Sequence, residues 1–139
     1  MAKNASLKNF EKRMKAIPEA VREAVLPAIM RSADELADRM RHLAPEDEGD
    51  LKRSITVTGP GQTTPAYSQP GGSKVVGPLA ATVTVGNKDV RYPHLLEYGT
   101  TKAAAQPFFW PAFRLGRKRM EARIKRAVNK AVKDKWSAS

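Results

Sequence analysis

The stretch PEAVREAVLPAIMRSADELADRMRHLAP, residues 18–45, decides the fold of this chain. Its apolar side chains recur every three or four residues, the period of one helix face, and predict a helix of about six turns. Pro18 suits the first helical position and Pro45 ends the helix. Pro27 removes a backbone donor inside the series, so either a kink or two abutting helices would fit, and the unbroken period favours the kink. The series consists of Val21, Val25, Ile29, Ala33, Leu36, Met40 and Leu43.

Similar patterns predict two more helices. Residues 7–17 carry an apolar stripe among charged residues, and residues 108–136 carry another with strongly basic faces around it. At ~1.5 Å per residue the last helix is roughly 40 Å long, more than a small domain covers, so we expect part of it to meet another subunit. The first stripe is Leu7, Phe10, Met14 and Ile17; the last is Phe109, Phe113, Met120, Ile124, Val128 and Ala131.

Two short alternating segments predict β-strands. ITVT at residues 55–58 and ATVTV at 81–85 are rich in β-branched residues, which favours an antiparallel pair that residues 74–76 could extend. Residues 59–73 between them contain almost no aliphatic side chains, so we expect a long mobile loop. Residues 92–98 look like a short helix or turn, which Gly99 can end. The predicted fold class is therefore α+β, with residues 1–139 as one domain and a flexible tail at 136–139.

The composition narrows the class of protein. With 139 residues and no cysteine, the chain predicts a single domain without disulfides or thiol chemistry. No apolar run has the length of a signal peptide or of a membrane span, so neither secretion nor membrane insertion is expected. The net charge of +11 predicts attraction to a polyanion, because a positive field concentrates phosphates or acidic proteins.

Most of this positive charge lies on the last helix. Residues 114–135 hold ten basic and two acidic residues, a net +8. Such a run is often only a solvated face, but its imbalance also fits contact with DNA or with an acidic partner. Because no aromatic residue interrupts the basic face, any DNA binding would be directed at phosphates and blind to sequence. The candidate contacts are Arg114, Arg117, Lys118, Arg119, Arg123, Lys125 and Arg126.

No pattern in the sequence predicts an enzyme or a cofactor. The acidic residues 46–50 lack the spacing of a calcium loop, and a solvated turn explains them. His94 and Glu97 could share a helix face, but without further ligands a hydrogen-bonded pair is the simpler interpretation. Neither a nucleophile elbow nor a phosphate-binding loop is present in the sequence. We therefore expect no catalytic residues, no metal and no cofactor.

The segment QPFFWPAF, residues 106–113, holds four aromatic side chains between and after two prolines. It could simply plug the core at the start of the last helix, with Pro111 in the tolerated first turn. One helix cannot point all four aromatic side chains the same way, however. We expect at least one of Phe108, Phe109, Trp110 and Phe113 to anchor a neighbouring molecule.

Three motifs, in this order, resemble the tail-completion, or head–tail joining, family of siphophage-type bacteriophages, prophages and gene transfer agents. The first is Ala44-Pro45 with Gly49, Leu51 and Ser54 after a long helix. The second is YPHLLEYGT at residues 92–100, and the third is QPF with PAF at residues 106–113. At the position of Pro93 the family often has a small residue, so the resemblance does not define the local turn at this position.

The resemblance implies a non-enzymatic subunit of a ring, usually of six copies, at the neck of a particle. The ring would lie between the head-side stopper and the tail terminator, around the DNA channel, after assembly in the bacterial cytoplasm. A free, sequence-nonspecific DNA-binding architectural protein is the alternative. The residues expected to contact neighbouring proteins are Glu97, Tyr98, Gly99, Thr100, Pro107, Phe108, Phe109, Trp110 and Phe113.

Overall fold

A computed structural model describes residues 19–45 and 49–138, with side chains described through Asp134. The helix predicted at residues 7–17 and the acidic residues 46–48 lie outside this part of the chain. The elements are α1 (Glu19–Leu43), α2 (Gly49–Arg53), β1 (Thr56–Thr58), β2 (Thr82–Thr84), α3 (Pro93–Tyr98) and α4 (Phe109–Ala138). Long helices with a small antiparallel sheet confirm the predicted α+β class.

Helices α1 and α4 pack side by side in opposite directions. Near the start of α1, Val21 and Val25 contact Ala131 of α4, while Met40, near the other end, shares a buried cluster with Phe108 and Ala112. Helix α1 runs unbroken through Pro27, so the alternative of two abutting helices is wrong. Helix α4 has 30 residues and extends to Ala138, past the predicted end at Trp136. In the described part of the chain, no helix is both long and apolar enough to cross a membrane.

The sheet consists of β1 and β2 in antiparallel register, with Val57 opposite Val83. Ile55 and Val85, which flank the strands, are buried against α1 and α2 residues of the main core. The predicted antiparallel pair is confirmed, but residues 74–76 do not extend it. Val75 instead forms an isolated bridge with Thr63, while Gln69 bridges to Val85.

The segment at residues 59–73 contains regular hydrogen bonding that its composition did not predict. The Thr64 backbone N–H donates to Lys74, and the Gln69 and Val85 backbones exchange bonds of 2.8 and 3.0 Å. The Thr64 hydroxyl donates to the Gly72 carbonyl at 2.6 Å. Polar and backbone hydrogen bonds connect this segment, in which apolar burial is scarce. Its mobility stays a prediction.

Polar side chains join α1 to α4 midway along their contact. The Glu35 carboxylate pairs with Arg123 at 2.5 Å and with Arg119 at 3.2 Å. Arg123 also donates to the hydroxyl of buried Ser32 at 3.2 Å. The hydrogen bond from Arg123 is the main cause that lowers the pKa of Glu35 below its ordinary value of 4.5, and the positive charge of nearby arginines lowers it further.

We expect the Glu35 pairs to stabilise the fold at neutral pH and to weaken in acid. Because the folded-state pKa lies below 4.5, the contribution is complete above 4.5 and disappears as the pH falls through the folded value. Urea unfolding from pH 7 to pH 3 should therefore show wild type more stable than Glu35→Gln at neutral pH, with the two converging in acid. A constant difference over this range would contradict the assignment.

Candidate interaction site where α3 meets α4

The carboxylate of Glu97, on α3, closes the N-terminal end of α4. One of its oxygens accepts the backbone N–H groups of Phe108 and Phe109 at 3.0 and 2.9 Å, and the other accepts that of Trp110 at 3.2 Å. The first four N–H groups at the start of a helix, counted from the residue before it, have no partner within the helix. Here that count begins at Phe108, and its fourth residue is Pro111, which has no N–H. One side chain thus satisfies every free donor at this end, and its negative charge suits the helix dipole.

A tight turn after α3 returns the chain to this cap. Gly99 has φ 77°, and a β-carbon there would lie 2.8 Å from the Ala105 backbone nitrogen. The Thr100 hydroxyl accepts the N–H groups of Lys102 and Ala103 at 3.2 and 3.0 Å. This backbone path explains why glycine and then threonine follow the Glu97-Tyr98 pair.

The four aromatic side chains at the start of α4 have different environments. Phe108 is completely buried in the main core, and Phe109 packs against the same core. Trp110 is 39% exposed and stands edge-to-face against Phe109 and Phe113, with ring centroids 5.0 and 6.2 Å away. Its indole N–H donates to the Tyr98 hydroxyl at 3.0 Å. Trp110 is therefore the exposed aromatic side chain of this segment, and Tyr98 of α3 lies exposed next to it.

A mostly apolar cleft of about 240 Å³ opens beside this pair. Tyr98, Phe109 and Trp110 form one wall, and Gln69 and Pro70 of the loop form the other. Leu95, one turn before the end of α3, is also exposed. We call Tyr98 and Trp110, together with this cleft, the aromatic patch.

His94 and Glu97 do not act as a pair in this site. The His94 ring nitrogen Nδ1 lies 3.1 Å from the Gln69 amide nitrogen, which links α3 to the loop, whereas Glu97 turns towards α4. Among the residues that the structure describes, no group of three or more potential metal ligands occurs. The predicted hydrogen-bonded pair of His94 and Glu97 is therefore wrong, because each of them has a hydrogen-bond partner on another element.

The predicted basic contacts divide into two groups. Arg119 and Arg123 reach towards α1 and pair with Glu35, and the Arg123 side chain is only 12% exposed. Arg117 pairs with Glu121 on the surface of α4 at 2.9 Å. Arg114, Lys118, Lys125 and Arg126 are exposed and have no salt bridge within the described residues. Among the predicted contacts, only these four unpaired side chains are free to contact a polyanion.

A family model described as "Bacteriophage HK97-gp10, putative tail-component" matches residues 8–99 of the 139-residue chain. The chain belongs to this family. The HK97-gp10-like match covers α1, the sheet and α3 through Gly99, while α4 lies beyond it. It includes the first motif of the resemblance to phage tail-completion proteins and the second except for Thr100, and Glu97 connects this matched part to α4. No curated protein and no solved structure matches the chain.

Some residues of the site were not predicted from the sequence. Gln69, Pro70 and Val85 line the cleft, yet they belong to the loop and the sheet, far from the aromatic segment in the sequence. Outside the cleft, the contact of Glu35 and Ser32 with α4 could have been predicted from the sequence, because both are polar residues close to the apolar face of α1. Such a position indicates a polar partner across the helix contact.

Proposed function

We propose that this chain is a structural subunit of a ring at the head–tail junction of a tailed phage or phage-like particle. Membership of the HK97-gp10-like tail-component family supports a virion structural role without enzymatic activity. In the proposed ring, six identical copies lie side by side, with a head-side stopper above them and the tail terminator below them. The DNA channel would run through the centre.

The observation that carries this proposal is the aromatic patch. Tyr98 is 71% exposed and Trp110 39% exposed, and both line a mostly apolar cleft. Exposed aromatic side chains next to a preformed cleft are typical of protein-binding surfaces, where a few of them contribute most of the binding energy. Within the predicted interface set, Glu97, Gly99 and Phe108 support this surface from inside the subunit, and Tyr98 and Trp110 present it.

The length of α4 also supports a role in an assembly. Thirty helical residues extend about 45 Å, and Leu115 is 69% exposed on this helix. In a ring, adjacent subunits meet through different surfaces and close the circle by rotation. A long helix with one side on α1 leaves its other sides for such neighbours.

Trp110→Ala is expected to impair the joining of heads to tails. If Trp110 is a central contact, its loss should reduce the fraction of tailed particles by about tenfold or more, because such contacts contribute at least about 2 kcal/mol. The fraction is counted by electron microscopy of particles assembled with the variant as the only source of the protein. Val75→Ala is the control, since Val75 is 73% exposed and does not line the cleft.

Urea unfolding of purified Trp110→Ala separates loss of contact from loss of fold. Normal tail attachment by a folded Trp110→Ala protein would refute the docking role of the patch. A map of the purified head–tail junction tests the ring itself, through its position and symmetry. Absence of the chain from finished particles would refute the proposed function as a whole.

The positive charge of α4 favours a second candidate, a free DNA-binding architectural protein. The two functions predict different locations. A free architectural protein would bind DNA without any particle component and would be missing from purified particles, whereas a ring subunit would be retained in them. Quantitative blotting of purified particles against the cell lysate distinguishes the two.

A further inference from the structure

Six basic side chains of α4 lie on the surface without a partner among the described residues. Each is exposed, and none makes a hydrogen bond or a salt bridge within the described residues. The cations of α4 that reach acidic groups pair with Glu35 of α1 or with Glu121 of α4 itself. The six are Arg114, Lys118, Lys125, Arg126, Lys130 and Lys133.

Helical geometry arranges these six side chains in two columns. At about 100° per residue, Arg114, Lys118 and Lys125 fall within an arc of about 40°, on the side opposite the buried residues of α4. A neighbouring arc of about 60° contains Arg126, Lys130 and Lys133. Together the columns extend about 28 Å along the helix axis.

This length and charge match a nucleic acid duplex. Double-stranded DNA carries one negative charge for about every 1.7 Å of its axis, so 28 Å of duplex offers about 16 phosphates. Two adjacent columns of cations can contact the phosphates at any position along such a duplex. No aromatic residue occurs between Arg114 and Asp134, so the surface has no platform on which an unpaired base could stack.

The type of cation favours DNA over an acidic protein. Four of the six residues are lysine, and lysine is depleted at protein–protein interfaces, whereas protein–DNA interfaces are much more positively charged. Leu115, Val128 and Val132 are also exposed on α4, but exposed apolar side chains scattered along a helix are ordinary on protein surfaces.

We propose that these two columns of α4 form a binding surface for the phosphate backbone of double-stranded DNA, without sequence preference. The surface depends on α4 alone. It serves a ring subunit that lies against packaged DNA and a free DNA-binding protein equally well. Failure of the ring proposal would therefore leave this inference standing, and the reverse also holds.

The test compares two variants that each remove three positive charges from the full chain. Lys118→Gln, Lys125→Gln and Lys130→Gln together remove half of the α4 surface. Lys74→Gln, Lys88→Gln and Lys102→Gln, the matched control, remove exposed lysines elsewhere. Glutamine has nearly the helix propensity of lysine, so α4 is retained, and circular dichroism checks this.

Binding is measured by fluorescence anisotropy on a random-sequence duplex of about 30 base pairs, between about 0.05 and 0.2 M salt. Each lost phosphate contact lowers the slope of log affinity against log salt by about one. The α4 variant should therefore lose about three from this slope and on the order of 100-fold in affinity at about 0.1 M salt. The control should lose less than about one from the slope.

Three results would overturn the proposal. The first is no binding of wild type to DNA at the lowest salt. The second is an equal loss in both variants, which would mean that only total charge matters. The third is competition by poly-glutamate as effective as that by unlabelled duplex at equal charge, which would identify α4 as a surface for an acidic protein.

Discussion

Phe108→Ala is expected to lower the free energy of unfolding by about 3–5 kcal/mol, the usual cost of deleting a fully buried phenylalanine. Phe108 is completely buried, between the end of α1 and the start of α4, and shares its cluster with Met40 and Leu51. A domain of this size has only about 5–15 kcal/mol in total, so the variant should be close to unfolding at 37 °C. Urea unfolding followed by circular dichroism measures the loss.

Two further variants make this expectation specific. Phe108→Leu keeps most of the volume and should cost less than about 1.5 kcal/mol. Tyr67→Ala deletes an aromatic ring that is 57% exposed, and should cost less than about 1 kcal/mol. If Phe108→Ala were no more destabilising than Tyr67→Ala, Phe108 would not be a core residue of this domain.

Glu97→Ala is expected to lower the free energy of unfolding by about 2–4 kcal/mol. A hydrogen bond to a charged group contributes about 1.5–3 kcal/mol, and the variant leaves three backbone donors at the start of α4 without their acceptor. Glu97→Gln keeps one carbonyl oxygen but presents an amide group where the second oxygen accepted Trp110, so about half of the loss should return. Urea unfolding again provides the measurement.

Glu121→Ala is the matched control for Glu97. It also removes one carboxylate, but from an exposed pair with Arg117, and such pairs contribute about 0–1 kcal/mol. Equal stability of the Glu97→Ala and Glu121→Ala proteins would refute the capping role. A destabilised Glu97→Ala protein should also lose the contact between Tyr98 and Trp110, which intrinsic tryptophan fluorescence can follow.

Local periodicity predicted the framework of the fold well. The apolar series from Val21 to Leu43 became α1, and the alternating threonines and valines became β1 and β2 in antiparallel pairing. These elements follow from which face of each segment is apolar, and that is visible in neighbouring residues. The aromatic segment was likewise placed correctly at the start of the last helix.

Contacts between distant residues could not be predicted in the same way. A capping side chain normally lies within three residues of the helix start, but Glu97 precedes Phe108 by eleven and belongs to another helix. The bridge between Gln69 and Val85 likewise joins a polar loop to the sheet through backbone atoms, which carry no sequence signal. Both contacts depend on the completed fold, and together they shape the aromatic patch.

The two walls of the cleft differ in how firmly they are held. The wall on α3 and α4 is fixed by the Glu97 carboxylate and by buried Phe108, whereas Gln69 and Pro70 belong to a loop held mainly by backbone bonds and by the contact with His94. Because neither Gln69 nor Pro70 belongs to the main core, we expect the loop wall to move more readily than the other. In the proposed ring, one firm wall and one compliant wall would let the same cleft accept side chains of different sizes.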